Sequence, residues 1–173
     1  MFYRESARLI LREPTAGDAE ILAKIRSTEF VTKYNLYEPC DSAQIQRELA
    51  EYEHVVLALK DDSKVIGCIS IREDCLRYHV DSVSLQGWLA QEQAYQGYMA
   101  EALKELFSYI FCDCGRERIA LQILSENHAS IRLAERLGFT REGYLKRALR
   151  NSARQVFDVV LLSMDKEEYI STI

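Results

Sequence analysis

The chain has 173 residues, 48% of them apolar and 28% charged, with 2 Pro and 7 Gly, a composition suited to one compact domain and opposed to extended disorder. Its 22 basic and 27 acidic residues leave a net charge of −5, so it lacks the electrostatic footprint of a nucleic-acid binder. The five cysteines contain no Cys-x-x-Cys pair, which points to reduced thiols in the cytoplasm rather than a zinc site or a disulfide framework.

The first residues, MFYRESARLILREP, hold no long apolar run and no small-residue cleavage site, so no signal peptide is expected. No window reaches the roughly 18 apolar residues of a membrane span. RLILREP reads as a strand. Thr15 and Asp18 form a capping box for a helix over 17–27, with Ile21, Leu22 and Ile25 on its apolar face. FVTKYNLYEPC is looser, and Ser42 then caps a second helix whose face is Ile45, Leu49 and Tyr52.

From His54 the period changes. HVVLALK and KVIGCISIRE, joined by Asp61, Asp62 and Ser63, read as a hairpin, and VSLQGWLA as a further strand. MAEALKELFSYIF is an amphipathic helix with Met99, Leu103, Leu106, Phe107 and Ile110 in one stripe, ended by Gly115. IALQIL is a short buried strand. Asn127 caps a helix with Ile131, Ala134 and Leu137 inward, Gly138 takes the left-handed position past it, and Phe139 folds back. TREGYLKRAL and QVFDVVLLSM close the chain as strands. The order β-α-α-β-β-β-α-β-α-β-β describes one mixed α/β domain, 1–173, without repeats or linkers.

Several chemistries lose their signatures. There is no Gly-x-Gly-x-x-Gly, no Gly-x-x-x-x-Gly-Lys-Ser/Thr, no His-Glu-x-x-His and no Gly-x-Ser-x-Gly. His54, His79 and His128 lie far apart, and each alone reads as a surface or structural residue. The basic run from Arg141 to Arg154 reads as a solvated surface. What remains is a strand, a turn with Gly97, and a helix start. That arrangement aims backbone N–H groups at the positive end of a helix dipole and suits a pyrophosphate, although a single glycine also serves a plain strand-to-helix turn.

Four segments, taken together, resemble one family. ARLILREPTAGDAE, LQGWLAQEQAYQGYMAEAL, SENHASIRLAERLGFTREG and FDVVLLSMDKEEY are similar, in the right order, to the GCN5-related N-acetyltransferase (GNAT) superfamily, in particular its ribosomal-protein N-acetyltransferase (RimJ/RimL-like) branch. The likeness runs from about Arg8 to Tyr169. It implies a GNAT fold with a mostly antiparallel mixed sheet flanked by helices, and a splayed central parallel pair of strands. It implies acetyl-CoA as co-substrate, no metal, and an amine acceptor; homodimers are common among such proteins, the closing strands offering an interface.

The family's loop pattern, Arg/Gln-x-x-Gly-x-Gly/Ala, falls on Ala94, Tyr95, Gln96, Gly97, Tyr98 and Met99, and only Gly97 matches strictly. Many relatives place a second glycine where Tyr95 stands. Backbone groups do the holding, so the loop still works if Tyr95 has a negative φ and Met99 points into the core. The resemblance assigns acetyl-CoA contacts to Trp88, Leu89, Ala90, Tyr95, Gln96, Gly97, Tyr98, Met99, Ala100, Asn127 and Ser130. A backbone N–H near Leu89 would stabilise the oxyanion. Asn127 would bind the pantetheine arm or simply cap its helix. Ser130 would protonate the leaving thiolate, because the tyrosine many relatives use four positions later is Ala134 here. The base is open among Glu73, Asp74 and His79, and Tyr34 and Tyr37 would wall the acceptor site. The implied reaction is direct attack of a primary amine, on a protein N-terminus or a small molecule, on the bound thioester. The alternative is a catalytically impaired CoA-binding regulatory or interaction module, motivated by the degenerate loop.

Overall fold

The computed structural model describes residues 2–171. Eight strands, β1 (Tyr3–Glu5), β2 (Leu9–Arg12), β3 (Glu53–Leu59), β4 (Val65–Glu73), β5 (Ser82–Leu89), β6 (Arg118–Leu124), β7 (Thr140–Arg150) and β8 (Val156–Asp165), make a mixed sheet in the order β1-β2-β3-β4-β5-β6-β8-β7. Helices α1 (Ala19–Arg26), α2 (Glu29–Asn35), α3 (Ser42–Glu51), α4 (Tyr98–Ser108), α5 (His128–Arg136) and α6 (Lys166–Ile170) flank it. The chain gathers into two compact units, one running to Arg72 and resuming over Gln86–Phe107, the other made of Glu73–Leu85 and the chain from Ser108 onward.

In the first unit, β1 to β4 pair antiparallel in sequence order. The β3–β4 register sets His54 opposite Ser70 and Val56 opposite Cys68, so the alternation of side chains gathers these four on one face. Leu22 and Ile25 of α1, Val31 of α2 and Ile45 of α3 pack there with Val56, Cys68 and Trp88. Arg12 of β2 ties the start of α1 to the sheet through both carboxylate oxygens of Asp18, each at 2.8 Å. Burial pushes the Asp18 carboxyl up, but Arg12 and the donors of Thr15 outweigh it and hold it below the ordinary range.

In the second unit, β5 and β6 run parallel over Ser82–Ser84 and Arg118–Ala120. β6 and β8 pair antiparallel, and β7 pairs with β8 through a register shift between Leu145 and Leu149. Asp158 supports that bulge by accepting from the Arg147 N–H and the Tyr144 hydroxyl, both at 2.7 Å.

Several expected elements shift. β1 precedes the first expected strand and was not foreseen, while the 17–27 helix divides into a 3-10 turn at Ala16–Asp18 and α1. Ile21 stands out at 36% exposure because the buried stripe of α1 is Ala19, Leu22, Ala23 and Ile25. The looser stretch contains α2, ended by Leu36 in the left-handed region at φ +54°. Asp41 rather than Ser42 caps α3, its Oδ1 accepting from the Gln44 N–H at 2.8 Å. Tyr52 lies past the last turn of α3 and is exposed rather than packed on the helix face. The long amphipathic helix gives way after Ser108 to a π-helical turn, Tyr109–Asp113, that buries Ile110 and Phe111. Gly115 and Gly138 do take positive φ, +74° and +99°, and Phe139 is buried as expected.

Candidate active site

The glycine-containing turn between β5 and α4 lies in the first unit. After β5, a 3-10 turn over Gln91–Gln93 leads to Ala94, and α4 begins at Tyr98. Between them Tyr95 has φ +61° and Gly97 φ +85°. The left-handed value at Tyr95 overturns the expectation of a negative φ there. The position needs the conformation glycine adopts freely, and a tyrosine holds it at a cost of about 1–2 kcal/mol. The side chain meets no obstacle, being 86% exposed with its ring edge-on to Phe30 at 6.4 Å. Among the described residues no hydrogen bond uses the backbone N–H of Tyr95, Gln96 or Gly97. These donors precede the positive end of an 11-residue helix, a setting suited to a bound anion.

The loop is braced from β2's approach by a residue that sequence reasoning missed. Arg8 donates to the Gln96 carbonyl at 3.1 Å, bonds Glu101 of α4 at 2.7 Å, and lays its guanidinium over the Tyr98 ring at 4.2 Å. The backbone N–H of Arg8 also donates to Glu101, again at 2.7 Å. Nothing in the spacing announces it, because Arg8 lies 88 residues from the carbonyl it holds. Met99 points inward as expected, its Cε 3.1 Å from where a Cβ on Gly87 would lie. Trp88 and Leu89 are buried, and the Ala90 N–H donates to the Ile66 carbonyl at 2.7 Å. Close approach here depends on Gly67, since a Cβ there would fall 2.3 Å from the Trp88 carbonyl oxygen.

A second polar constellation of the first unit was also missed. Trp88, Arg26, Tyr37, Glu48, His54 and Ser70 line a cavity of about 20 Å³, enough for one water. Arg26 bonds Glu48 and lies 4.7 Å from the Tyr37 ring centroid. His54 contacts the Glu48 carbonyl through Nε2 at 3.1 Å and the Ser70 hydroxyl through Nδ1 at 2.9 Å. A carbonyl only accepts, so Nε2 carries the proton and Nδ1 accepts from Ser70. Burial lowers the pKa of His54, the bond to the Glu48 carbonyl opposing it. Burial likewise pushes the Tyr37 hydroxyl up to about 12, against the nearby charges of Arg72 and Arg26. The hairpin at Asp61–Ser63 sets the His54–Ser70 register, so polar residues alternating along two paired strands were the available signal. Tyr37 lines this cavity, whereas Tyr34 pairs with Lys33, Nζ 5.0 Å from its ring centroid.

The remaining expected residues belong to the second unit. Asn127 caps α5, its Oδ1 accepting from the Ser130 N–H at 3.2 Å, which leaves its amide nitrogen outside the cap. Ser130 is half-buried in the first turn of α5, and Ala134 is buried one turn on. Asp74 is buried and accepts from the Ser82 hydroxyl at 2.9 Å, Arg77 at 3.1 Å and the Leu76 N–H at 3.1 Å. A carboxylate so fully engaged is structural and leaves the list of bases. Glu73 is exposed and lies 3.4 Å from Arg116, while His79 is exposed in the left-handed region at φ +61°. Among the described residues no hydrogen bond or ion pair joins either to Ser130. No group of three or more His, Cys, Asp or Glu that could hold a metal occurs among the described residues, and no helix is long and apolar enough to cross a membrane.

Comparison with known proteins bears on this arrangement. The family model for an acetyltransferase (GNAT) domain matches residues 8–140. The N-acetyltransferase YoaA of Bacillus subtilis (strain 168) is 28% identical over 152 residues, 82% of this chain and 85% of that protein. Among solved structures, the ribosomal-protein-S5-alanine acetyltransferase from Vibrio fischeri superimposes with a TM-score of 0.85 at 19% identity, covering 96% of this chain and 98% of the other. The spermidine N-acetyltransferase from Vibrio cholerae, in complex with CoA and spermine, does so with a TM-score of 0.81 at 22% identity, covering 94% and 98%.

Proposed function

The chain belongs to the GNAT acetyltransferase family, and from that premise we propose that this N-acetyltransferase moves the acetyl group of acetyl-CoA directly onto a primary amine, without a covalent enzyme intermediate. The observation that carries the proposal is the loop at 95–97, whose backbone donors have no hydrogen-bond partner among the described residues and run into the start of α4. Such donors suit the pyrophosphate of CoA. Arg8 positions the loop through the Gln96 carbonyl. Gln96, Gly97, Tyr98, Met99 and Ala100 contribute backbone, as do Tyr95 and the strand residues Trp88, Leu89 and Ala90, whose side chains serve packing or face solvent.

Acetyl-CoA supplies an activated acyl carbon and a thiolate leaving group. The Ala90 N–H is committed to Ile66, so the Leu89 N–H is the proposed donor to the oxyanion. The Asn127 amide nitrogen is proposed to bind the pantetheine arm, and Ser130 to hydrogen-bond or protonate the departing sulfur. An ammonium acceptor must first lose a proton; Glu73 and His79, both exposed, are proposed to take it through water. The named relatives act on a ribosomal-protein alanine and on spermidine, and at their identities they bear on fold alone, so the acceptor is proposed only as a protein N-terminal or small-molecule amine. Incubation with acetyl-CoA and an amine panel, read by product mass, tests the reading. Acetylated product that falls at least tenfold with Ser130→Ala is expected, about 1.4 kcal/mol of transition-state stabilisation. Turnover unaffected by Ser130→Ala removes Ser130 as the acid, and no product from any amine contradicts the reading itself.

A further inference from the structure

Beside the polar cavity of the first unit lies an arginine with an unused buried donor. Arg72, on β4, is half-buried, and its Nε is fully buried without a hydrogen-bond partner. Its guanidinium lies over the exposed Tyr52 ring at 4.4 Å from the centroid, a contact that supplies no hydrogen-bond acceptor. Among the described residues no carboxylate pairs with it. Of the acids around it, Glu48 pairs with Arg26 and Glu73 with Arg116.

Arg72 alternates along β4 with Cys68 and Ser70, which line the cavity with His54, Tyr37 and Trp88, and so shares their face of the sheet. Its charge acts on three of the groups lining that cavity, Tyr37, His54 and Glu48. A desolvated guanidinium donor without an acceptor costs the full desolvation penalty unless a ligand supplies the acceptor. A planar guanidinium fork matches a carboxylate, which can accept two parallel hydrogen bonds.

We propose that Arg72 binds a carboxylate on the acceptor, so that this enzyme acetylates amines bearing a nearby carboxylate, such as free amino acids or short peptides, in preference to polyamines. The inference rests on the acetyl-transfer reading above and adds the class of acceptor to it. The cationic fork that attracts a carboxylate repels a second ammonium, which disfavours a di- or triamine at the same position.

The test pairs each carboxylate-bearing amine with its decarboxylated or amidated counterpart: lysine with cadaverine, ornithine with putrescine, glycyl-leucine with its amide, and spermidine alone. Wild type and Arg72→Gln are compared by product mass and by acetyl-CoA calorimetry. The carboxylate member of a pair should have the higher kcat/KM by about tenfold to a hundredfold. Arg72→Gln should raise KM for that member alone and shrink the ratio to within about twofold, leaving acetyl-CoA affinity unchanged; Arg72→Lys should recover part of the ratio. Preference for spermidine or the decarboxylated amines overturns the inference, as does a ratio that Arg72→Gln leaves intact. A titration of 15N-labelled protein with sodium acetate, following the Arg72 Nε–H resonance, provides a readout independent of turnover. Absence of acetyl-CoA binding defeats the acetyl-transfer reading whatever Arg72 does, whereas an Arg72 resonance unmoved by acetate in a protein that binds acetyl-CoA and acetylates no carboxylate-bearing amine defeats this inference alone.

Discussion

Tyr95 is the residue at which local rules and the loop's shape conflict. Its φ of +61° gives the chain the path a glycine would give, so the pattern is degenerate in side chain but not in backbone. Replacing it with glycine relieves about 1 kcal/mol of strain and adds a similar amount of unfolded-chain entropy. Tyr95→Gly should therefore leave the urea midpoint nearly unchanged and preserve acetyl-CoA binding. Tyr95→Val, β-branched in the same conformation, should cost more than about 1 kcal/mol by the same measurement. His54 carries the second prediction at this scale. Its folded pKa lies below the ordinary 6.5 because it is buried, so the unfolded chain binds the proton more readily. Its contribution to stability is undiminished above pH 6.5 and falls as pH drops from there toward the folded pKa. Urea unfolding from pH 7.5 to about 5 should show this slope in wild type, and His54→Gln should flatten it; equal slopes would contradict the assignment of a neutral buried imidazole.

At the level of elements, Gly67 and Asn127 set the end of β5 and the start of α5, the two segments proposed to hold the cofactor. A Cβ at Gly67 would sit 2.3 Å from the Trp88 carbonyl oxygen and 3.1 Å from the Leu89 Cα, backbone atoms that cannot rotate away. Gly67→Ala should destabilise by about 1–3 kcal/mol and, by shifting the end of β5, weaken catalysis beyond what lost folded protein explains; thermal melts beside single-turnover rates check it. Asn127→Ala should cost about 1 kcal/mol for the lost cap. Asn127→Asp keeps the acceptor for the Ser130 N–H, so it should retain stability while weakening acetyl-CoA binding through loss of the amide donor. Affinity equal to wild type in that variant would reduce Asn127 to a cap.

Elements with strong periodicity, such as α4 and the β3–β4 hairpin, were legible because the turn residues and the apolar spacing agree. α2 was not, since FVTKYN has β-branched and aromatic residues and only Val31 buried; packing against α1 rather than intrinsic propensity decides it. The glycine-containing loop was legible, and Arg8 and Arg72 were not. Both matter through partners far away in sequence or through the absence of one, which only three-dimensional placement reveals. Asp74 misled because its position after β4 is that of a candidate base, while its engagement with Ser82, Arg77 and Leu76 appears only on folding.

At the scale of the whole molecule, the GNAT domain matched over 8–140 carries a loop braced by Arg8 and, apart from it, a polar cavity. The central claim is that the loop at 95–97 holds acetyl-CoA despite Tyr95. Calorimetric titration of acetyl-CoA into wild type and Gly97→Trp, each with its thermal midpoint recorded, tests it most directly and avoids the thiol reagents that five cysteines would confuse. Gly97 has φ +85° and its Cβ direction faces the Arg8 guanidinium at 3.5 Å, so a tryptophan there disturbs the loop and its brace together. The account predicts micromolar binding in wild type and at least a tenfold loss in a variant that still folds. No binding in wild type, or equal binding in both, would contradict it.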